Sequence, residues 1–102
     1  MTSLSTLIDD AIATREVVVA RTWTAQRHFT RPYIITVWHY TSPMFQYNTI
    51  SGVVIPIDRG RHGRSDREGV RTILSGVGLD LSYDDIWESA SHRVTTRKAN
   101  NG

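Results

Sequence analysis

The chain has 102 residues, the size of one domain, and 39% of them are hydrophobic, which suffices for a packed core and excludes a disordered chain. The absence of cysteine excludes a disulfide framework and the common zinc-ribbon sites, and the net charge of +2 excludes a polycation. No stretch of about 20 apolar residues is present, and two acids stand near the start where a signal peptide needs basic residues, so we expect a cytoplasmic protein.

The first predicted element is a helix that ends near Thr14. Its apolar residues recur at helical spacing and form one stripe, made of Leu4, Leu7, Ile8, Ala11 and Ile12. A β-branched run at residues 17–19 then favours a strand.

Four strands are predicted next, over residues 16–25, 33–40, 44–49 and 53–57. Residues 32–57 contain no Lys, Arg, Asp or Glu, which is typical of the buried heart of a sheet. Apolar and aromatic residues occupy both faces of the strand at 33–40, so we expect it to be central. Pro56 cannot donate a ladder hydrogen bond and places the last strand at an edge.

Two helices complete the prediction. The first begins with a capping box formed by Ser65 and Glu68 and ends at Gly76 and Gly78, and the second begins at Ser82. The expected fold is therefore α+β: a three- to four-stranded antiparallel meander with an N-terminal helix and two C-terminal helices on one face. Residues 1–98 would form the domain and residues 99–102 a flexible tail. The sequence does not decide whether residues 91–98 form a final strand or part of the tail.

A glycine- and arginine-rich loop precedes the first of these C-terminal helices and is the first candidate binding site. Its arginines continue along one face of the helix, as Arg59, Arg61, Arg64, Arg67 and Arg71. Glycines beside a helix N-terminus suit phosphate, so this pattern is compatible with nucleic-acid binding. The alternative is a solvated loop whose arginines pair with nearby carboxylates.

The second candidate site is a group of aromatic residues on adjacent strands: Trp38, Tyr40, Phe45 and Tyr47. Exposed on a sheet, they could stack on bases or contact a protein partner. Aromatic residues in strands are more often part of the core, and that alternative stays open here.

Catalytic and metal-binding patterns are absent from the sequence. The chain contains no cysteine nucleophile and no G-x-S-x-G elbow, and its four histidines are scattered without an H-x-x-x-H pair. The acidic stretch at residues 80–88 lacks the spacing of a calcium loop. We therefore predict a protein that is not an enzyme and uses no cofactor or metal.

The segment from Trp38 to Leu74 contains a Tyr40-Thr-Ser-Pro-Met44 turn followed by an Arg-rich helix with Ser65 and Thr72. In this it resembles small uncharacterised accessory proteins encoded by actinobacterial phages, in which a tyrosine-rich strand, a Y-x-T-P turn and such a helix recur. The resemblance covers about a third of the chain and implies no catalytic residues. It implies a small protein that binds a host or phage macromolecule, and the partner expected first is a protein. The alternative functions are nucleic-acid binding through residues 59–71 and formation of a homodimer.

Overall fold

The computed structural model describes residues 2–58 and 62–88. A short 3-10 turn, Leu4–Thr6, leads into the first helix. The elements follow in the order α1 (Leu7–Thr14), β1 (Val18–Ala20), β2 (Trp23–Arg27), β3 (Ile34–His39), β4 (Ser42–Asn48), β5 (Val54–Pro56), α2 (Arg64–Gly76) and α3 (Tyr83–Trp87). The predicted features at residues 91–98 and 99–102 lie outside the described residues.

The five strands form one antiparallel meander in the order β1-β2-β3-β4-β5. The α+β class is confirmed, but the expected count of three to four strands is wrong. The predicted strand at 16–25 is two strands, because Ala20 pairs with Trp23 across a two-residue hairpin loop. The loop begins with Arg21 at a φ of 59°. Glycine or asparagine usually occupies this left-handed position, so the sequence carries no recognisable turn signal there.

The turn between β3 and β4 also differs from the prediction. The loop consists of Tyr40, at a φ of 55°, and Thr41, while Pro43 lies within β4 opposite Trp38. The register shifts between Val37 and Trp38. This irregularity lets two consecutive residues of β4, Met44 and Phe45, both be buried.

All three helices pack on one face of the sheet. Helix α1 contacts β1, β2 and β3, while α3 contacts β5. Helix α2 packs against α1 and the 3-10 turn, and its Gly69 faces the Trp23 ring. The core lies between these layers and is formed by Leu7, Ile8, Ala11, Val18, Ala20, Trp23, Ala25, Ile35, Val37, Met44, Phe45, Val54, Val70, Ile73, Leu74, Leu79, Leu81 and Ile86.

The positions of the strands and helix caps are partly as predicted. β3 is the central strand and β5, with Pro56, is an edge strand of the described sheet, as expected. The N-cap of helix α2 lies two residues earlier than predicted, at Gly63 instead of Ser65, and the Gly63 N–H donates to the Asp66 carboxylate. The predicted cap of α3 is confirmed, since Ser82 accepts the Asp85 N–H. Within the described residues, no helix is long and apolar enough to cross a membrane.

Candidate functional site

The predicted arginine stripe on α2 does not form an unpaired cationic surface. The Arg64 guanidinium contacts the Glu68 carboxylate at 2.9 Å, and Arg67 contacts Asp84 at 3.3 Å. Arg71 is exposed and forms no ion pair within the described residues. Arg59 and Arg61 lie outside the described residues. Two of the three described arginines are therefore paired with carboxylates, which reduces their availability for phosphate.

The four candidate aromatic residues do not share one surface. Phe45 is fully buried and Tyr47 packs against the core, so the binding role predicted for these two is not supported by their position. Tyr40 lies in the β3–β4 loop and is 70% exposed. Trp38 lies half-buried on the opposite face of the sheet from Phe45. The alternation of strand residues explains this division, since Phe45 opposes the inward-facing Val37.

The face of the sheet opposite the helices, which we call the outer face, is accessible in the part of the chain that the structure describes. Its residues are half-buried or exposed: Val19, Thr24, Gln26, Ile34, Thr36, Trp38, Pro43, Gln46, Asn48 and Ile55. None of them carries a charge. Trp38 occupies the middle of one row, between Thr24 on β2 and Pro43 on β4.

The charge-free segment at residues 32–57 accounts for most of this surface. We expected it to be the buried heart of the sheet, yet only alternate residues of β3 are buried. A solvent-facing side of an antiparallel sheet usually carries charged residues. Here it carries amides, hydroxyls and apolar side chains instead, a composition typical of surfaces that become covered.

A second cluster lies on the helix-covered face and was missed by the sequence analysis. His39 is 7% exposed and is hydrogen bonded through both ring nitrogens. Its Nδ1 lies 2.5 Å from the Asp66 carboxylate, and its Nε2 lies 2.8 Å from the Thr22 hydroxyl. The Trp23 ring stacks on the imidazole with a centroid distance of 4.1 Å. One signal could have suggested this burial, because His39 follows Ile35 and Val37 at alternate positions.

The order hydroxyl, imidazole, carboxylate is also that of hydrolase triads. In this protein the same contacts join three parts of the fold: Thr22 belongs to the β1–β2 loop, His39 ends β3, and Asp66 caps α2. Trp23 covers one face of the imidazole. We therefore interpret the cluster as a buried polar link between the sheet and α2.

The surroundings of Asp66 lower the pKa of its carboxyl group. Partial burial acts in the opposite direction, but it is outweighed by the hydrogen bond from His39, the Gly63 N–H and the charges of His39 and His62. Because the folded-state pKa lies below that of the unfolded chain, Asp66 stabilises the fold at neutral pH. This contribution is lost as the pH falls through the lowered pKa.

We expect Asp66→Asn to destabilise the protein by about 1–3 kcal/mol at pH 7, because charge-assisted hydrogen bonds to His39 and Gly63 are weakened. Urea denaturation of the variant and the parent protein checks this. The difference between them should shrink as the pH falls below the ordinary carboxyl pKa of about 3.9 and then through the lowered pKa of Asp66, where the parent carboxylate becomes protonated.

Asp84→Asn is the matched control, since it removes an exposed carboxylate that pairs with Arg67 across 3.3 Å at the surface. Its expected effect at pH 7 is below about 1 kcal/mol. Equal effects of the two substitutions at pH 7, or a pH-independent effect of Asp66→Asn, would contradict the structural role of the buried link.

A further polar and aromatic cluster joins α3 to the start of α2. The His62 ring is hydrogen bonded to the Tyr83 hydroxyl and lies edge-on to both Tyr83 and Trp87. Arg67 lies over the Tyr83 ring at 4.8 Å, and Trp87 donates its indole N–H to the Asp58 carbonyl at 2.7 Å. Burial and nearby carboxylates raise the pKa of Tyr83 against the opposing charge of Arg67. These contacts fasten α3 to the domain.

Metal-ligating side chains do not gather in the described part of the chain: no group of three or more His, Asp or Glu there could hold an ion. Comparison with protein-family models, with curated proteins and with solved structures found no match.

Proposed function

We propose that this protein is a non-enzymatic binding module that contacts a host or phage protein through the outer face of its sheet. The observation that carries the proposal is the absence of charge from that face, although it is accessible in the described structure. The phage-type origin and the cytoplasmic location stay part of the proposal. The phage-type origin rests on the sequence resemblance, and a location in the cytoplasm of the bacterial host follows from that origin.

The physical argument concerns the cost of removing water. Burying a charged side chain costs several kcal/mol unless it is paired, whereas Thr, Gln and Asn need only hydrogen-bond partners. The half-buried Trp38 supplies the large apolar contact that commonly dominates interface energetics, and Ile34 and Ile55 lie on the same face. A folded partner could thus cover this surface without leaving an ionic group unpaired.

Nucleic-acid binding through residues 59–71 is less well supported. The ion pairs of Arg64 with Glu68 and of Arg67 with Asp84 satisfy two of the cations on which that alternative depends. The outer face offers no cation to a phosphate backbone. The remaining alternative is that a second copy of this chain covers the outer face, so that the protein forms a homodimer.

Site-specific photo-cross-linking tests the proposal. A photoreactive phenylalanine analogue at Thr36, in the centre of the outer face, should yield one discrete cross-linked protein in an actinobacterial extract. The same analogue at Ser75, exposed on α2, should not yield it. Trp38→Arg should abolish the product, because an unpaired guanidinium would then have to be buried in the interface.

Circular dichroism of Trp38→Arg controls for loss of the fold. Light scattering of the purified chain separates the alternatives, since a stable dimer that Trp38→Arg dissociates would identify a second copy as the occupant. Products formed equally from Thr36 and Ser75, or none from Thr36, would contradict the proposal.

A further inference from the structure

The loops at one end of the sheet form a distinct surface next to the outer face. Residues 28–33 connect β2 to β3, and residues 49–53 connect β4 to β5, so both loops lie at the same end of the meander. They are joined directly, since the Thr49 N–H and hydroxyl both donate to the Tyr33 carbonyl, at 2.8 and 3.0 Å. We call this surface the loop end.

Three arginines lie at the loop end without a carboxylate partner. Arg15 and Arg27 line one depression with Tyr33 and Ile50, and Arg31 lines the neighbouring one. None of the three forms an ion pair within the described residues. Together they contribute a charge of +3, which Glu16 beside Arg15 lowers to +2. The loop end is therefore a cationic surface whose charge the described domain does not neutralise.

Arg27 is held in place as a fixed cation. Its Nη1 donates to the Pro32 carbonyl at 2.5 Å, and its Nη2 donates to the Ile12 carbonyl at 2.7 Å. These two backbone carbonyls orient the guanidinium without cancelling its charge, while its buried Nε has no hydrogen-bond partner among the described residues. The charge thus remains available to attract an anionic ligand.

His28 adds a directed hydrogen-bond donor. Its Nδ1 lies 3.2 Å from the backbone nitrogens of both Thr30 and Arg31, so it accepts hydrogen bonds from their N–H groups. In the neutral ring the proton consequently resides on Nε2. His28 also lines the depression that contains Arg31, and no partner of its Nε2 is found among the described residues.

Apolar side chains lie beside these donors. Phe29 is 92% exposed and Ile50 is 78% exposed, and they are among the most exposed large hydrophobic residues of the described chain. The depression lined by His28 and Arg31 has a volume of about 290 Å³ and a wall formed by Ile34 and Ile55 of the outer face. This volume lies at the lower edge of the range of about 300–1,000 Å³ usual for small-molecule and cofactor sites. The depression suits one or two side chains.

We propose that the loop end binds an acidic segment of the partner protein, with a carboxylate at Arg31 and His28 Nε2 and an apolar side chain in the depression. Arg guanidinium pairs with carboxylate in planar, bidentate geometry. The neighbouring Arg15 and Arg27 favour further acidic residues in the same segment. The apolar contact with Ile34, Val53 and Ile55 supplies affinity that ion pairs at an exposed surface do not.

This inference rests on the proposed function, because the depression continues into the outer face through Ile34, Gln46 and Ile55. The continuity also favours a protein over a nucleic acid. A phosphate backbone that extended beyond the loop end would run onto the uncharged outer face, where it would find no counter-charge.

Nitrogen–proton correlation NMR of the full chain tests the proposal with acetyl-Glu-Leu-Glu-Leu-amide as the probe. We expect shift changes confined to Arg15 and to residues 27–34 and 46–55. We expect binding to be about fivefold weaker or more for acetyl-Gln-Leu-Gln-Leu-amide, which keeps the leucines and removes the charge. Similar binding of the two peptides, or shift changes elsewhere, would overturn the proposal.

Two variants test the assigned donors. Arg31→Gln should weaken binding of the Glu peptide about fivefold. His28→Asn should weaken it as well, because the Asn Oδ1 can still accept the Thr30 and Arg31 N–H groups while the Nε2 donor is lost. Arg71→Gln is the matched control, since Arg71 is an exposed arginine on α2 with no ion pair in the described structure, and it should leave binding unchanged.

Inorganic phosphate and a single-stranded oligonucleotide complete the experiment. If the oligonucleotide binds residues 28–34 more tightly than the Glu peptide does, the proposal is overturned in favour of nucleic acid. If phosphate binds as tightly as the Glu peptide, the proposal is also overturned, and the loop end is a nonspecific anion site. If the peptide fails while the cross-link from Thr36 forms, the acidic-segment inference is wrong and the proposed function stands. If the cross-link fails as well, both are wrong.

Discussion

Gly76→Ala should destabilise the protein by about 2–3 kcal/mol, although alanine is the better helix former. A Cβ at position 76 would lie 1.7 Å from the carbonyl oxygen and 2.5 Å from the carbonyl carbon of Ser5. Both are backbone atoms, so no side-chain rotation relieves the overlap. The N-terminal 3-10 turn would have to move away from α2, which would open the packing of the core beside it.

Urea denaturation followed by tryptophan fluorescence measures this loss. Ser75→Ala is the matched control, because Ser75 precedes Gly76 on α2 but is exposed, and its expected effect is within about 0.5 kcal/mol. If Gly76→Ala were as stable as the parent protein, the close packing of the 3-10 turn on α2 would be wrong.

Phe45→Ala should have the largest effect on stability, about 3–5 kcal/mol. Phe45 is 0% exposed on the central part of the sheet and pairs with Val37 and Pro56 on neighbouring strands. Its removal loses the burial of a large ring and leaves a cavity that the sheet can fill only in part. This loss is a large share of the stability of about 5–15 kcal/mol that small domains have.

Phe29→Ala provides the comparison for the same chemical change. Phe29 is 92% exposed, so its truncation should alter the free energy of unfolding by no more than about 0.5 kcal/mol. If Phe45→Ala does not fold, Phe45→Leu can be measured instead. Its loss in the free energy of unfolding should be intermediate, because leucine leaves a smaller cavity. Similar losses for Phe29→Ala and Phe45→Ala would contradict the assignment of Phe45 to the core.

The contrast between these two phenylalanines shows a limit of sequence reasoning. Phe45 was a candidate binding residue because it lies near Trp38 and Tyr47, but the shift in register between β3 and β4 places it in the core. A bulge depends on how two strands pair, and nothing in the local sequence records it. Trp38, from the same candidate group, does reach the outer face.

The two groups of arginine residues show the same limit, because the fold and not the sequence decides which arginines lack a carboxylate partner. Clustering of arginine in the sequence indicated the loop before α2, yet Arg64 pairs with Glu68 one turn along the same helix, and the fold brings Asp84 of α3 to Arg67. The unpaired cations Arg15, Arg27 and Arg31 are spread over 17 residues of sequence. They gather only because the meander returns β2 and the start of β3 to one end of the sheet.

The sequence by itself determined the α+β class, both of the longer helices and the order of the elements, because helical and alternating hydrophobic patterns are local properties of a chain. It determined the central place of β3 and the edge position of Pro56 for the same reason. Only the tertiary structure decided that residues 16–25 fold back as a hairpin, that His39 joins Thr22 to Asp66, and that the charge-free strands expose one face. These features depend on strand register and on which face the helices cover, and both are set by contacts between residues far apart in the chain.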